Sequence, residues 1–213
     1  MAQSTKQGAK YPFEACPLEE GAQGRSTILM MRENKLIDEV LQFNVARAAI
    51  IDPSGITYSS EFRRLCEQNK CGHYGKNWMC PPAVGPYEEL KAKASQYKEG
   101  LVFQTLHQLS YSHDRKGLRE AFKAHDEALQ GIIAHLQGRY GIKDMLPLGA
   151  GPCTYCEKCT SLDGEECRSP DHAVASLESH GIDVGALVKI CDMPYNSGKN
   201  TVTFVGAVFF TAP

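Results

Sequence analysis

The residues best suited to chemistry are cysteines. Cys153-Thr-Tyr-Cys156-Glu-Lys-Cys159 sets three thiols at two-residue gaps, and Cys167-Arg-Ser-Pro170 follows after seven more residues. A cubane cluster needs four thiolates from a confined stretch of chain. A tight Cys-x2-Cys-x2-Cys loop supplies three of them while its backbone N–H groups face the cluster sulfides. Zinc ribbons draw their ligands from two separated Cys-x2-Cys knuckles, so three cysteines in immediate succession favour a 4Fe-4S cluster over Zn. The spacing departs from the ferredoxin run, in which the fourth cysteine comes sooner, directly precedes proline and ligates the other cluster of a pair. Whether Cys167 joins its sequence neighbours therefore stays open.

A second group reads Cys66-x4-Cys71-x8-Cys80-Pro81-Pro82. Three thiolates on a loop bounded by glycine and proline suit three irons of a second cubane. The fourth iron is then left to Cys16, Cys191, a non-cysteine ligand or an exchangeable small molecule, and an open iron is a Lewis acid. The alternative is that Cys66 is a buried hydrophobe and that Cys71 and Cys80 complete one site shared with the later group.

Neighbouring residues carry weaker signals. His73, between two candidate ligands, is expected to be a solvent-exposed loop histidine rather than a ligand or proton donor. His125 and His135 lie near a helical apolar stripe, where a partly buried core histidine is the default. Tyr74, Trp78 and Tyr155 are placed to shield cluster sulfur from water. Lys158 and Arg168 either donate to cluster sulfides and guide an acidic redox partner or are ordinary surface charges. Gly149-Ala-Gly151 leads into a cysteine loop and not from a strand into a helix, so it is no phosphate cradle.

Taken together, Cys66-Glu-Gln-Asn-Lys-Cys71-Gly-His-Tyr-Gly-Lys-Asn-Trp-Met-Cys80-Pro-Pro, Gly151-Pro-Cys153-Thr-Tyr-Cys156-Glu-Lys-Cys159, Cys167-Arg-Ser-Pro170 and Gly181-Ile-Asp-Val184 resemble a family of predicted metal-binding proteins, the domain of unknown function 2284. The likeness runs roughly from Arg63 to Phe210. It implies metal binding through Cys66, Cys71, Cys80, Cys153, Cys156, Cys159 and Cys167 in soluble proteins common among anaerobic microbes. It implies no reaction.

The elements that must position these cysteines belong to a chain of 213 residues, 42% hydrophobic, which is long enough to bury a full core. Residues 1–25 read as a tail or loop and 26–213 as a single α/β metal-binding domain. The expected fold is a mixed sheet with packed helices and two cysteine-rich loops meeting at one sheet edge. Strands are expected at Val45–Ile51, Leu101–Leu109, Leu187–Cys191 and Thr201–Thr211. Helices are expected over Glu33–Phe43, from Ser59 or Ser60 to Cys66, over Pro86–Lys98 and over Asp114–Gly138, with a short one at His172–His180. In the long helix Leu118, Ala121, Phe122, Leu129, Ile132, Ile133 and Leu136 form the apolar stripe. Leu146–Pro152 reads as a Pro/Gly-rich approach to the cysteines, and the Pro81-Pro82 pair as extended chain.

Twenty-three basic and 25 acidic residues give a net charge of −2, which offers no general attraction for nucleic acid or an anionic membrane. No stretch reaches the ~20 apolar residues of a membrane span, and Met1–Lys10 lacks the apolar core of a secretory signal. A cytoplasmic protein is expected, where nine cysteines are poor disulfide formers and seven in two groups favour metal. Three functions fit these residues. The first is an iron–sulfur electron-transfer protein working with a redox partner protein, with one cubane on the Cys153–Cys167 loop and room for a second at Cys66, Cys71 and Cys80. The second is an enzyme with an open iron at the earlier group acting on a small-molecule substrate, and the third a zinc-stabilised interaction module. Oligomeric state is not legible.

Overall fold

The structure is a computed structural model that describes residues 27–212, so the expected tail and Cys16 lie outside the described residues. Its elements, in order, are α1 (Thr27–Val40), β1 (Arg47–Ile51), α2 (Ser60–Glu67), α3 (Tyr87–Ser95), β2 (Glu99–Gln108), α4 (Arg115–Tyr140), β3 (Met145–Gly149), β4 (Ala175–Ser176), α5 (Val184–Ile190) and β5 (Thr201–Phe210). The five strands form one mixed sheet in the order β1-β2-β5-β3-β4. Its spine is the antiparallel ladder of β2 and β5, which runs from Glu99 opposite Phe210 to Gln108 opposite Thr201. β1 and β3 add antiparallel on either side, and β4 closes the far edge parallel to β3. The class is α/β, as expected.

Strand side chains alternate between faces, and here both faces are apolar. Leu101, Phe103, Val208 and Phe210 pack under α1 and α4 with Leu36, Val40, Leu129, Ile132 and Leu136. Val102, Val205, Ala207 and Phe209 face the opposite layer, where Ala94 of α3 and Leu187 and Val188 of α5 cover them. Each fully buried phenylalanine contributes about 1.5–3 kcal/mol from area removed from water. No helix of the described residues is long and apolar enough to cross a membrane.

The long helix follows its stripe. Asp114 caps it, accepting from the Gly117 N–H at 2.8 Å, and Ala121, Leu129, Ile132, Ile133 and Leu136 are buried. Leu118 is exposed. The helix runs past Gly138 to Tyr140 because the left-handed cap is taken by Gly141, at φ 67°. α4 is tied to α1 by the Glu39 carboxylate, which accepts from His135 Nε2 and the Tyr140 hydroxyl, each at 2.8 Å, and from Arg139 Nε at 3.0 Å. His135 is thus a half-buried tether. His125 is buried, as a core histidine should be.

Three segments depart from the sequence expectation. Leu187–Cys191 is not a strand but lies in and just after the helix α5, because Asp183 accepts from the Ala186 N–H at 2.9 Å and starts a turn that buries Leu187 and Val188. The local cap outweighs the β-branched composition. Within Leu146–Pro152, Met145–Gly149 is the strand β3, held to β5 with Leu146 opposite Phe209. His172–His180 is not a helix: it yields β4 between two 3-10 turns, and Gly181, at φ 73°, ends the second.

Its three donors hold the Glu39 carboxyl down, with the Tyr140 hydroxyl foremost, from the ordinary 4.5 to about 2. A depressed carboxyl contributes stability that is fully present above its unfolded value and is lost as pH falls through its folded one. Glu39→Gln is therefore expected to lower stability by about 1 kcal/mol at neutral pH, the carboxylate being partly solvated. The gap from wild type should close between about pH 4.5 and 2, as measured by denaturant unfolding across pH.

Candidate metal centre

The later cysteine loop leaves β3 where the chain crosses α4. A Cβ on Gly151 would stand 3.1 Å from Phe122 Cε2, and this residue has φ +67°, a conformation that side chains disfavour. Glycine here lets the backbone pass the helix and turn into Cys153. Cys159 then precedes a 3-10 turn at Thr160–Asp163 that Gly164 closes at φ 71°. The buried Thr160 hydroxyl donates to the Glu166 carbonyl at 2.8 Å, Arg168 Nη2 donates to the Lys158 carbonyl at 2.6 Å, and Lys158 pairs with Asp163 at 2.7 Å. These bonds fold the seven-residue gap back on itself. Cys167 accordingly lines the same hollow as Cys153, Cys156 and Cys159.

The rest of that wall comes from the earlier loop: Asn77, Trp78 and Met79 line the hollow too, which is open to solvent. Trp78 Nε1 donates to the Glu165 carbonyl at 3.1 Å, and the Trp78 backbone N–H donates to the Cys159 sulfur. The two loops meet beside β3 and the edge strand β4.

In the earlier loop Ser59 caps α2, accepting from the Glu61 N–H at 3.2 Å, and Cys66 sits in its last turn. The buried Asn77 accepts from the Met79 N–H at 3.0 Å. The proline pair does not run extended: the Pro81–Pro82 peptide is cis, and the chain turns back with Gly75 N–H donating to the Pro81 carbonyl and Val84 N–H to the Cys80 carbonyl. Arg63, one turn before Cys66, donates to the carbonyls of Gly85 at 2.6 Å and Ser179 at 2.9 Å, with its charge beside Cys66 and Cys80. It ties α2 to both the end of the earlier loop and the turn after β4.

Burial sets the ionisation of these thiols. It raises Cys66 despite Arg63, raises Cys153, and pushes Cys80 up to about 11 despite a hydrogen bond from Asn77, with Cys71, Cys66 and Cys153 adding repulsion. At Cys159 burial is outweighed by the Ser161 side chain and backbone, the Trp78 N–H and the Arg168 charge, so its thiol falls below the ordinary value. Ser161 Oγ lies 3.3 Å from that sulfur. The Cys159 thiol is thus easier to ionise than an ordinary one, whereas Cys66, Cys80 and Cys153 need a cation to offset burial.

Of the other sequence candidates, Trp78 and Tyr155 line the hollow and Tyr155 stacks on His172, their rings 4.6 Å apart and 4° from parallel. Arg168 lines it as well, while Lys158 is spent on Asp163. Tyr74 and His73 are half-buried in the earlier loop. Cys191 packs against the α3/α5 core, its thiol pushed up to about 12 by burial. It lies with the core and not with either cysteine loop. Among the described residues no three Cys, His, Asp or Glu side chains stand together closely enough to grip a single ion. Arg63, Asn77 and Ser161 were missed from sequence; only Arg63, three residues before Cys66 on a helix, carried a usable signal.

A sequence profile of the family described as predicted metal-binding protein (DUF2284) matches residues 49–210, which include all seven grouped cysteines. No curated protein matches. No solved structure matches either.

Gly151→Ala is expected to destabilise the chain by about 1–2 kcal/mol through the left-handed backbone and to lower metal content, read by thermal unfolding and elemental analysis. Cys191→Ala should cost stability, as a small core truncation does, and leave metal content per chain unchanged.

Proposed function

The chain belongs to the family of predicted metal-binding proteins, and on that footing we propose that it is an iron–sulfur redox protein whose Cys153, Cys156, Cys159 and Cys167 hold a 4Fe-4S cluster. The observation that carries this reading is the hollow that these four cysteines line together. Four thiols that line one hollow fit a cluster in which each iron takes its own thiolate. A lone zinc ion instead draws all its sulfurs to ~2.3 Å. When bound, such a cluster accepts and donates one electron.

The chain's own residues do the tuning. Ser161 and the Trp78 N–H donate to the Cys159 sulfur, and such bonds together with the Arg168 charge favour the more negative, reduced state. Trp78, clamped to Glu165, covers one side. Tyr155 and Leu162 are about half exposed, which leaves this loop reachable by a redox partner protein. The eight described cysteines are all free and so available as ligands, and a reducing, cytoplasmic setting is part of this reading.

A second reading attaches to the earlier group. Cys71, which is exposed, adds repulsion at both Cys66 and Cys80, and Cys80 also feels Cys66 and Cys153. Three thiolates with one exposed suit a second metal with an open position for a small-molecule substrate.

Anaerobic purification with iron, zinc and acid-labile sulfide analysis tests the proposal. Four irons and four sulfides per chain are expected for one cubane and twice that for two; stoichiometric zinc without sulfide would overturn it. Cys156→Ala should abolish the paramagnetic resonance signal of the reduced later cluster, while Cys71→Ala should leave that signal in place. Ser161→Ala is expected to make the later cluster harder to reduce, lowering its potential in a spectroscopic redox titration.

A further inference from the structure

Cys66, Cys71 and Cys80 leave the earlier group one donor short of the set that a cubane takes. Cys191 lies with the core and does not complete it. The turn after β4 brings a carboxyl group to the same place.

That turn, a 3-10 turn at Glu178–His180, runs along α2. The Ser59 N–H, at the start of the helix, donates to the Gly181 carbonyl at 2.7 Å, and Arg63 Nη1, one turn on, donates to the Ser179 carbonyl at 2.9 Å. The next step along both segments sets Glu178 beside Cys66, where, after burial and the Arg63 charge, its carboxylate is the strongest influence on the thiol. Glu178 is half-buried between the buried Leu177 and Ser179, and burial raises its carboxyl. The Ser176 hydroxyl donates to that carboxyl while accepting from the Ser179 N–H at 3.1 Å. Among the described residues Glu178 has no ion pair, since Arg63 spends its guanidinium on the Gly85 and Ser179 carbonyls. A carboxylate withdrawn from water favours a cation beside it.

We propose that Glu178 is the fourth ligand of the centre held by Cys66, Cys71 and Cys80, its carboxylate oxygen taking the iron that has no thiolate. The proposal rests on the second reading of the earlier group. Hydrogen-bonded partners orient a ligating carboxylate, and Ser176 and the turn do so here. Oxygen is a harder donor than thiolate and suits such an iron less well, so Glu178 marks the position into which a small-molecule substrate exchanges. Glu67, next to Cys66 in sequence, carries the same charge but is exposed.

Mössbauer spectroscopy of the full-length Cys156→Ala chain, purified anaerobically with isotopically enriched iron, tests the assignment without the later cluster. One iron in about four is expected to carry an oxygen-ligated signature distinct from the rest. Glu178→Gln should lose that iron, Glu178→Cys should retain it with the signature of the others, and Glu67→Gln should change neither. A Cys156→Ala chain that binds no iron would overturn the earlier-site reading and the proposal with it. Irons that are all alike in that chain, or a distinct iron retained in a folded Glu178→Gln protein, would overturn the assignment of Glu178 alone. The spectrum of the Cys156→Ala chain needs no change at Glu178, so it decides even where the Glu178 variants fail to fold.

Discussion

Phe209 and Phe210 are adjacent in β5 and fully buried on opposite faces of the sheet, so each demands a helical layer of its own. That double burial is the constraint on which the molecule rests. α1 and α4 cover one face and α3 and α5 the other, and the loops between them are gathered at the sheet edges. Because β3 pairs with β5 and β4 with β3, the long excursion from Gly149 to Ala175 starts and ends on neighbouring strands. The later cysteine loop is that excursion. A well-packed sheet therefore anchors both ends of a segment that has little apolar burial of its own.

The earlier loop reaches the same place by polar means. Arg63 spans to Gly85 and Ser179, and Trp78 donates to Glu165, so backbone carbonyls and not apolar area set how the two loops meet. Such bonds contribute modestly to net stability, about 0.5–1.5 kcal/mol each, but strongly to position. Burial of Cys80, Cys66 and Cys153 works against their thiolates, so these cysteines are better suited to a bound cation than to life as free thiols. Cation binding would release protons and grow stronger as pH rises.

Cys153 and Tyr155 line both the four-thiol hollow and a second one over α4. One wall thus separates the four-thiol space from the pocket over α4. Gly151 makes this wall possible, since a side chain there would meet Phe122. The same close approach brings Asp126 and His125 of α4 to the back of Cys153.

By itself the sequence determined the local facts: the helical stripe of α4, the long strands β2 and β5, and the two cysteine groups, because periodicity and ligand spacing are written within a few residues of chain. It misjudged Leu187–Cys191, where one capping aspartate outweighed β-branched composition, and Leu146–Pro152, whose strand exists only because β5 offers it a partner. Tertiary structure alone decided that Cys167 lines the same hollow as Cys153, Cys156 and Cys159, that Trp78 closes over them and that Cys191 lies with the core. Those outcomes depend on hydrogen bonds across many residues, such as Trp78 to Glu165, and on which face of a sheet a loop returns to. No spacing of residues along the chain encodes either.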